Sequence, residues 1–245
     1  MAKHKSKIGT IVSLDLPQIG SHLSSFGFDF IFIDLEHGHV SSTTIQSIIL
    51  SKQKKCQVFI RISEISETAI KYALDLGADG IIAPRVESME EIQTLIDFSW
   101  YPPFGKRSIG FSLANKYGHN FKNYTEQFKP IIIPQIESVE GLEIADEILT
   151  HHLIAGIFVG PYDLSMSMGI AGQFESELFT NEYEKIRTAC KTHQKLFGTF
   201  CSGIEGARRE IEKGADMIAI GVDANLYLNV YKEMLGGLNT SDSAG

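Results

Sequence analysis

The sequence holds few cysteines and little positive charge, and it has no long hydrophobic run. Cys56, Cys190 and Cys201 are an odd number in 245 residues, widely spaced and without a C-x-x-C pair, which fits a reducing cytoplasm better than a disulfide framework. Residues 1–7 are basic, but no apolar h-region follows them. No apolar run approaches the roughly 20 residues that span a bilayer, so a soluble, cytoplasmic protein is expected. Lysine and arginine number 22 against 30 acidic residues, a net charge of -8. General affinity for nucleic acid or an anionic membrane needs the opposite balance. An anionic small substrate stays open, because a metal and one arginine can reverse a local field. No G-x-G-x-x-G follows a strand-like run, which weakens a dinucleotide site. No linker, low-complexity tract or repeat of fixed period interrupts the chain.

What the chain has is 43% hydrophobic residues, ample for a large core, and a regular alternation. Short apolar runs read as strands at 8–14, 28–33, 58–60, 80–83, 131–133, 157–159, 196–200 and 217–220. Helical patterns fall at 19–26, 43–51, 68–76, 89–98, 139–149, 176–193, 204–213 and 224–235, with a long loop and short helix over one face at 100–128 and a frayed tail at 236–245. Eight alternations in one domain, residues 1–245, predict an α/β fold of the (β/α)8 TIM barrel type, with chemistry at the C-terminal strand ends. A doubly wound open sheet is the rival, because the same alternation serves both.

Two predicted strands end alike. The run 131–133 passes through Pro134-Gln135-Ile136 to Glu137, and 157–159 breaks at Gly160-Pro161 and reaches Asp163. The helix between them makes the strands parallel, usually adjacent, with both carboxylates at one edge. Two carboxylates about 4 Å apart repel by about 4 kcal/mol at an effective dielectric near 20. A proton or a divalent cation offsets that repulsion; alternatively, each acid caps the helix that follows it.

The other predicted strand ends deliver Asp34, Glu36, His37 and His39, then Arg61, then Arg85 and Glu87, then Gln135. Paired carboxylates without a thiolate suit Mg²⁺ or Mn²⁺. Arg61 would hold a substrate carboxylate or a developing enolate oxygen, and His37 would shuttle a proton, which describes enolate chemistry on a keto acid. The plainer readings are that Arg61 pairs with Asp34 or Glu36, that His39 is a loop residue, that Arg85 and Glu87 form an ion pair, and that Cys201 is a buried thiol. A Schiff-base lysine is disfavoured: Lys129 lies at the wrong strand end, and only Lys106 in the long loop would reach in. His37-Gly38-His39 keeps a zinc hydrolase as a minor alternative. Asp223, after the last strand, would repel a phosphate.

The segments IDLEHG (33–38), FIRIS (59–63), APRVES (83–88), YPPFGKRSIG (101–110), PQIES (134–138) and VGPYDLSMSMG (159–169) resemble, in order, those of the HpcH/HpaI family of metal-dependent, pyruvate-forming aldolases. The resemblance covers about residues 8–235 and implies a barrel of the phosphoenolpyruvate/pyruvate-binding type. It implies reversible cleavage of a 4-hydroxy-2-oxo acid to pyruvate and an aldehyde. On matching positions, Glu137 and Asp163 hold the metal, while Gln135 and the backbone at Tyr162 and Asp163 hold the pyruvate portion. Arg61 stabilises the enolate oxygen, and His37 takes the C4 hydroxyl proton. Asp75 matches an acid that makes this histidine more basic, yet it falls near the end of a helix running away from His37, so it would act within the chain or on a neighbouring subunit. The resemblance also implies a homo-oligomer, a hexamer built as a trimer of dimers with the last helix exchanged. Leu35 and Tyr162 stand where many relatives carry small residues, and 111–117 lacks an arginine often found there; these bear on the aldehyde pocket, which Tyr162 would narrow toward short aldehydes. Alternatives are a citrate-lyase-like acyl-CoA lyase, which would need a basic patch where only Lys106 and Arg107 are in sight, and an inactive metal-binding barrel serving as scaffold or sensor.

Overall fold

The computed structural model describes residues 5–119 and 121–239. In chain order the elements are β1 (Lys7–Val12), α1 (Ile19–Ser25), β2 (Phe30–Asp34), α2 (Ser42–Ser51), β3 (Gln57–Arg61), α3 (Glu67–Asp75), β4 (Gly80–Ala83), α4 (Met89–Ser99), α5 (Phe121–Gln127), β5 (Ile131–Ile136), α6 (Val139–Thr150), β6 (Gly156–Val159), α7 (Pro161–Ser167), α8 (Glu177–Thr192), β7 (Leu196–Cys201), α9 (Ile204–Glu212), β8 (Met217–Val222) and α10 (Asp223–Asn239). The strands pair in parallel in sequence order, and β8 returns to β1 through Lys7↔Met217, Ile8↔Ile218 and Gly9↔Ala219. That closing ladder excludes the doubly wound sheet, which leaves two open edges.

Alternation along each strand builds two apolar layers. Ile31, Ile33, Ile60, Ile81, Ile132, Ile157 and Ile218 point outward into a shell with the helices. Phe30, Phe32, Phe59, Ile82, Ile133, Phe158 and Met217 fill the barrel. Inside, Phe30 meets Phe59 edge-on at 5.9 Å and Phe32 meets Phe158 at 5.5 Å. Gly9 and Gly198 leave the space that Phe30 and Phe158 occupy; small residues opposite large ones let the layers interdigitate.

Serines start five helices. Ser41, Ser66, Ser88, Ser138 and Ser176 each accept a backbone N–H of the first turn, and Ser88 with Glu91 completes a capping box. At the opposite end of the barrel a G-x-D turn recurs. Gly27, Gly77 and Gly214 adopt φ of 95°, 101° and 82°, open to glycine at little cost. Two residues on, Asp29, Asp79 and Asp216 accept the N–H of Ile8, Val58 and Phe197 at 3.0, 2.7 and 2.9 Å. Each carboxylate ties the start of one strand to the one before it, a recurrence hidden in the sequence by its irregular spacing.

Two expectations need correction. The helix expected to stop before 236 continues to Asn239, because a glycine in a helix costs only about 1 kcal/mol against alanine and does not by itself end one; residues 240–245 of the expected tail lie outside the described residues. The 100–128 segment follows α4, whose C-terminus lies at the N-terminal end of the barrel, so it folds at the face opposite the C-terminal strand ends. There Lys106 Nζ bonds Asp97 Oδ2 at 2.6 Å, and Arg107 is buried. Neither residue stands at the mouth where a Schiff base or an acyl-CoA would need it.

Candidate active site

The rim is built outward from β2 and β3, whose register sets Asp34 directly beside Arg61. Arg61 Nε and Nη2 donate to the two oxygens of Asp34 at 2.9 and 2.8 Å, the bidentate geometry that guanidinium and carboxylate share. Asp34 Oδ1 also accepts from the backbone N–H of Glu36 and His37 at 3.0 and 3.3 Å, folding the chain back just past the strand. Burial alone would raise the pKa of Asp34, but Arg61 outweighs it and holds the group below the usual carboxylate value. Arg61 lies 5.5 Å over the ring of Phe32, at the inner edge of the barrel, and its Nη1 is 3.2 Å from Glu36 Oε2. The plainer reading of Arg61 is therefore seen, and it leaves work for the residue. Of the five guanidinium N–H groups, two go to Asp34 and one faces Glu36, so two remain for a ligand.

The second half comes from β5, β6 and α7. Ile136 pairs with Val159, so Glu137 and Gly160 leave their strands side by side. Pro161 at the first helical position starts α7, and Asp163 falls in its first turn, exposed on the rim. Glu137 is buried; its Oε1 accepts from the backbone N–H of Arg85 at 2.8 Å, and its Oε2 accepts from Gln135 Nε2. Burial is the main cause that pushes the Glu137 pKa up to about 7, opposed by the Gln135 bond and reinforced by the charges of Glu36 and Asp163. The Glu36 pKa is also raised, by burial first, with Arg61 and His37 opposing and Asp34 and Asp163 adding to it.

Two predicted groups thus meet. Glu137, Asp163 and Gln135 gather at the β5–β6 edge, and Arg61 joins Asp34 and Glu36 at the β2–β3 edge. His37 stands exposed at the rim with Nε2 3.7 Å from Glu36 Oε2. Tyr162 turns its ring onto Phe174 and Phe200, with centroids 5.0 and 6.0 Å away, where it walls a partly aromatic cavity of about 200 Å³ between β7 and the flanking helices.

Asp75 is elsewhere. It ends α3 at the far face and accepts from Arg107 Nη2 at 2.7 Å, so within one chain it has a different partner from His37. His39 is an exposed loop residue whose backbone N–H donates to Ser13 O at 3.3 Å. Arg85 and Glu87 form the expected ion pair at 2.9 Å, and Cys201 is a buried thiol. Asp223 accepts four hydrogen bonds from its own chain and does not present a bare charge to the rim.

Two features escaped the sequence reading. The backbone N–H that braces Glu137 belongs to Arg85, a residue with φ of 44°, and no motif marks a main-chain donor. Glu36 sits close enough to Glu137 and Asp163 for their charges to be felt, so with Asp34 four carboxylates share the rim with one arginine; IDLEHG carries that signal, but alternation alone does not say which way Glu36 faces.

This donor set fits a hard divalent cation. All the candidate donors are oxygens, and Gln135 Oε1 is buried without a hydrogen-bond partner. Among the described residues no group of three or more His, Cys, Asp or Glu side chains is placed to hold a metal ion; Mg²⁺ is commonly held by only one or two carboxylates, with waters or substrate oxygens in its other positions, which Glu137 and Asp163 would match. The chemistry available is cation-assisted activation of a carbonyl acid beside a guanidinium and an imidazole.

Comparison with known proteins covers nearly the whole chain. A family model described as HpcH/HpaI aldolase/citrate lyase matches residues 7–230. The 2-keto-3-deoxy-L-rhamnonate aldolase of Escherichia coli (strain K12) is 31% identical over 96% of this chain and 90% of its own length. Among solved structures, the HpcH/HpaI aldolase from Desulfitobacterium hafniense DCB-2 is similar with a TM-score of 0.88 and 27% identity, over 99% of this chain and 95% of that one. The citrate synthase SbnG is similar with a TM-score of 0.82 and 26% identity, over 98% and 94%.

Proposed function

The chain belongs to the HpcH/HpaI aldolase/citrate lyase family, and on that premise we propose that it is a carbon–carbon lyase that reversibly cleaves a 4-hydroxy-2-oxo acid of the 2-keto-3-deoxy type to pyruvate and an aldehyde. The observation that carries the reading is the rim itself: the buried Glu137 opposite Asp163, beside an Arg61 that keeps two N–H groups uncommitted.

A divalent cation, Mg²⁺ or Mn²⁺, held by Glu137 and Asp163 would supply Lewis acidity toward the 2-oxo acid. Gln135 and the backbone at Tyr162 and Asp163 would seat the pyruvate portion. Arg61, fixed by Asp34, would aim its spare N–H groups at the enolate oxygen as charge develops there; a donor set in place beforehand needs no reorganisation during the reaction. His37, at the open side of the site, would take the proton from the C4 hydroxyl, the C3–C4 bond would break, and the pyruvate enolate would then be protonated at C3. The ring of Tyr162 would confine the aldehyde side and favour short aldehydes.

The same reading assigns the protein to the cytoplasm and to a homo-oligomer, a hexamer arranged as a trimer of dimers. What supports assembly is α10, which leaves Leu226, Leu228, Val230, Tyr231, Met234 and Leu235 exposed on one helix, more apolar surface than a monomer ordinarily shows water. In such an assembly Asp75 would act on His37 of a neighbouring copy, since Arg107 engages its Oδ1 and the side chain remains partly exposed.

The test is direct. Purified protein is incubated with pyruvate, Mg²⁺ or Mn²⁺ and a panel of aldehydes, with and without EDTA. Condensation that requires the metal is expected. Metal binding with no turnover across the panel would replace the aldolase by a metal-binding scaffold, and turnover of acyl-CoA thioesters alone would move the chain to the lyase branch.

A further inference from the structure

Asp223 is the first residue of α10 and is 7% exposed. A buried carboxylate is costly unless its oxygens are hydrogen-bonded, and here both are engaged. Oδ1 accepts from Ser13 N at 2.9 Å, Ser13 Oγ at 2.7 Å and Ala224 N at 2.8 Å, and Oδ2 accepts from Leu14 N at 3.1 Å. Three of the four donors lie just past the end of β1, so one side chain fastens the β1–α1 loop to the last strand of the barrel.

That loop is in turn the floor under the segment that carries His37. The His39 N–H donates to Ser13 O at 3.3 Å. Gly38 lies so close that a Cβ there would stand 3.1 Å from Ser13 Cα. Ser41 N and Oγ both donate to Asp15 Oδ1, at 3.0 and 2.8 Å. Three contacts therefore join residues 38–41 to residues 13–15, and Asp34 Oδ1 holds the other end of the segment through the backbone of Glu36 and His37.

We propose that Asp223 is a positioning residue for the reaction: by anchoring Ser13 and Leu14 it fixes the floor on which the His37 loop rests, and so sets where the imidazole meets the substrate hydroxyl. The proposal rests on the reading of His37 as the group that takes that proton. Asp223 itself does not touch the substrate.

The experiment compares Asp223→Ala and Asp223→Asn with the wild-type full chain. Asparagine keeps one acceptor oxygen for the Ser13 and Ala224 donors, so it should recover part of what alanine loses. For Asp223→Ala, kcat should fall about 10- to 100-fold, the scale of a misplacement approaching 1 Å, while KM for the 2-oxo acid stays within about twofold, as for an interaction made only in the transition state. Mn²⁺ affinity should hold, and amide hydrogen exchange should quicken in residues 35–41 while residues 131–137 keep their protection. Unchanged exchange in 35–41 overturns the proposal, and so does metal affinity that falls in step with kcat. Should Asp223→Ala not fold, Asp223→Asn alone decides by the same split. If the wild type cleaves no 2-oxo acid, the aldolase reading fails, and the exchange comparison still judges the coupling of the loops.

Discussion

Gly160→Ala adds a single carbon at the point where β6 runs past the candidate metal site. The backbone there, φ -91° and ψ 92°, suits any residue, so the perturbation is one of space alone. The new Cβ would stand 2.6 Å from Glu137 Oε2, 2.9 Å from Gln135 Nε2 and 3.1 Å from Glu137 Cβ, whereas ordinary contact begins at 3.4 Å. The carboxylate oxygen must therefore retreat by 3.4 - 2.6, about 0.8 Å. Two of the three crowded atoms are ends of side chains that can swing away, and Glu137 Cβ need yield only about 0.3 Å (3.4 - 3.1), so the main chain moves little, and overpacking of this kind costs about 1–3 kcal/mol. A functional constellation tolerates about 0.5 Å, so the site should suffer far more than the fold. We expect a folded protein whose Mn²⁺ affinity and kcat both drop about 10- to 100-fold, the range found when the support of a metal ligand is disturbed. Thermal unfolding by circular dichroism would follow the fold, calorimetric titration the ion, and initial rates the reaction. Gly203→Ala is the control, at another helix N-cap where nothing lies within 4 Å of a Cβ. A folded Gly160→Ala protein with wild-type metal affinity would refute the argument that Glu137 must stay where Gly160 leaves it.

Arg61→Ala should cut kcat at least tenfold, about 1.4 kcal/mol of transition-state stabilisation, and leave Mn²⁺ affinity nearly unchanged; release of the metal would show that Arg61 holds the site rather than the enolate. The same change strands the buried Asp34 carboxylate, so urea unfolding should report a loss of about 3–5 kcal/mol. In the metal-free protein, the rise of the Glu137 pKa from 4.5 to about 7 means the folded state binds the extra proton. Its stabilising contribution is full below about pH 4.5 and is lost as pH rises to about 7. A shift of that size is worth about 3 kcal/mol; urea titrations in EDTA should show the slope, and Glu137→Gln should flatten it. Arg107→Ala opens space between Tyr101 and Phe128, whose rings flank the guanidinium at 4.9 and 5.2 Å, and removes the partner of Asp75. It should lower Tm by several degrees, since a loss of 1 kcal/mol moves a domain of this size by about 2–4 °C. Leu228→Asp on α10 should shift the protein toward smaller species in sedimentation velocity; an unchanged profile would assign assembly to another surface.

The strands were legible because each is an apolar run of barrel-stave length, buried on both faces and closed by a polar or turn residue. That is why Glu137 and Asp163 could be read as neighbours, with α6 between them forcing a parallel pair and β5 and β6 adopting the register that follows. Sequence order also placed Arg61 beside Asp34. It could not say that both Asp34 oxygens would be taken up by that pairing, since Arg61 had two candidate acids, Asp34 and Glu36. What sequence hides is approach between parts of the chain that are far apart. Nothing in the text around Asp223 announces that its carboxylate will meet Ser13, 210 residues earlier, because closure of β8 onto β1 makes neighbours of the two ends.

The error over Lys106 has the same origin with the opposite sign. A lysine in a conspicuous loop was given to the active face, although the loop follows α4, and a helix that starts at the C-terminal rim must end at the other one. Direction of travel along the barrel decides the face before any side chain is considered. The same rule explains Asp75. It ends α3 and falls at the lower face beside Arg107, so if it assists His37 the two must belong to different copies, and the exposed apolar side of α10 is the surface whose burial could bring those copies together. Assembly and proton transfer are then parts of one claim: Leu228→Asp should lower kcat to the extent that it lowers the assembled fraction, and raising the protein concentration should restore both together.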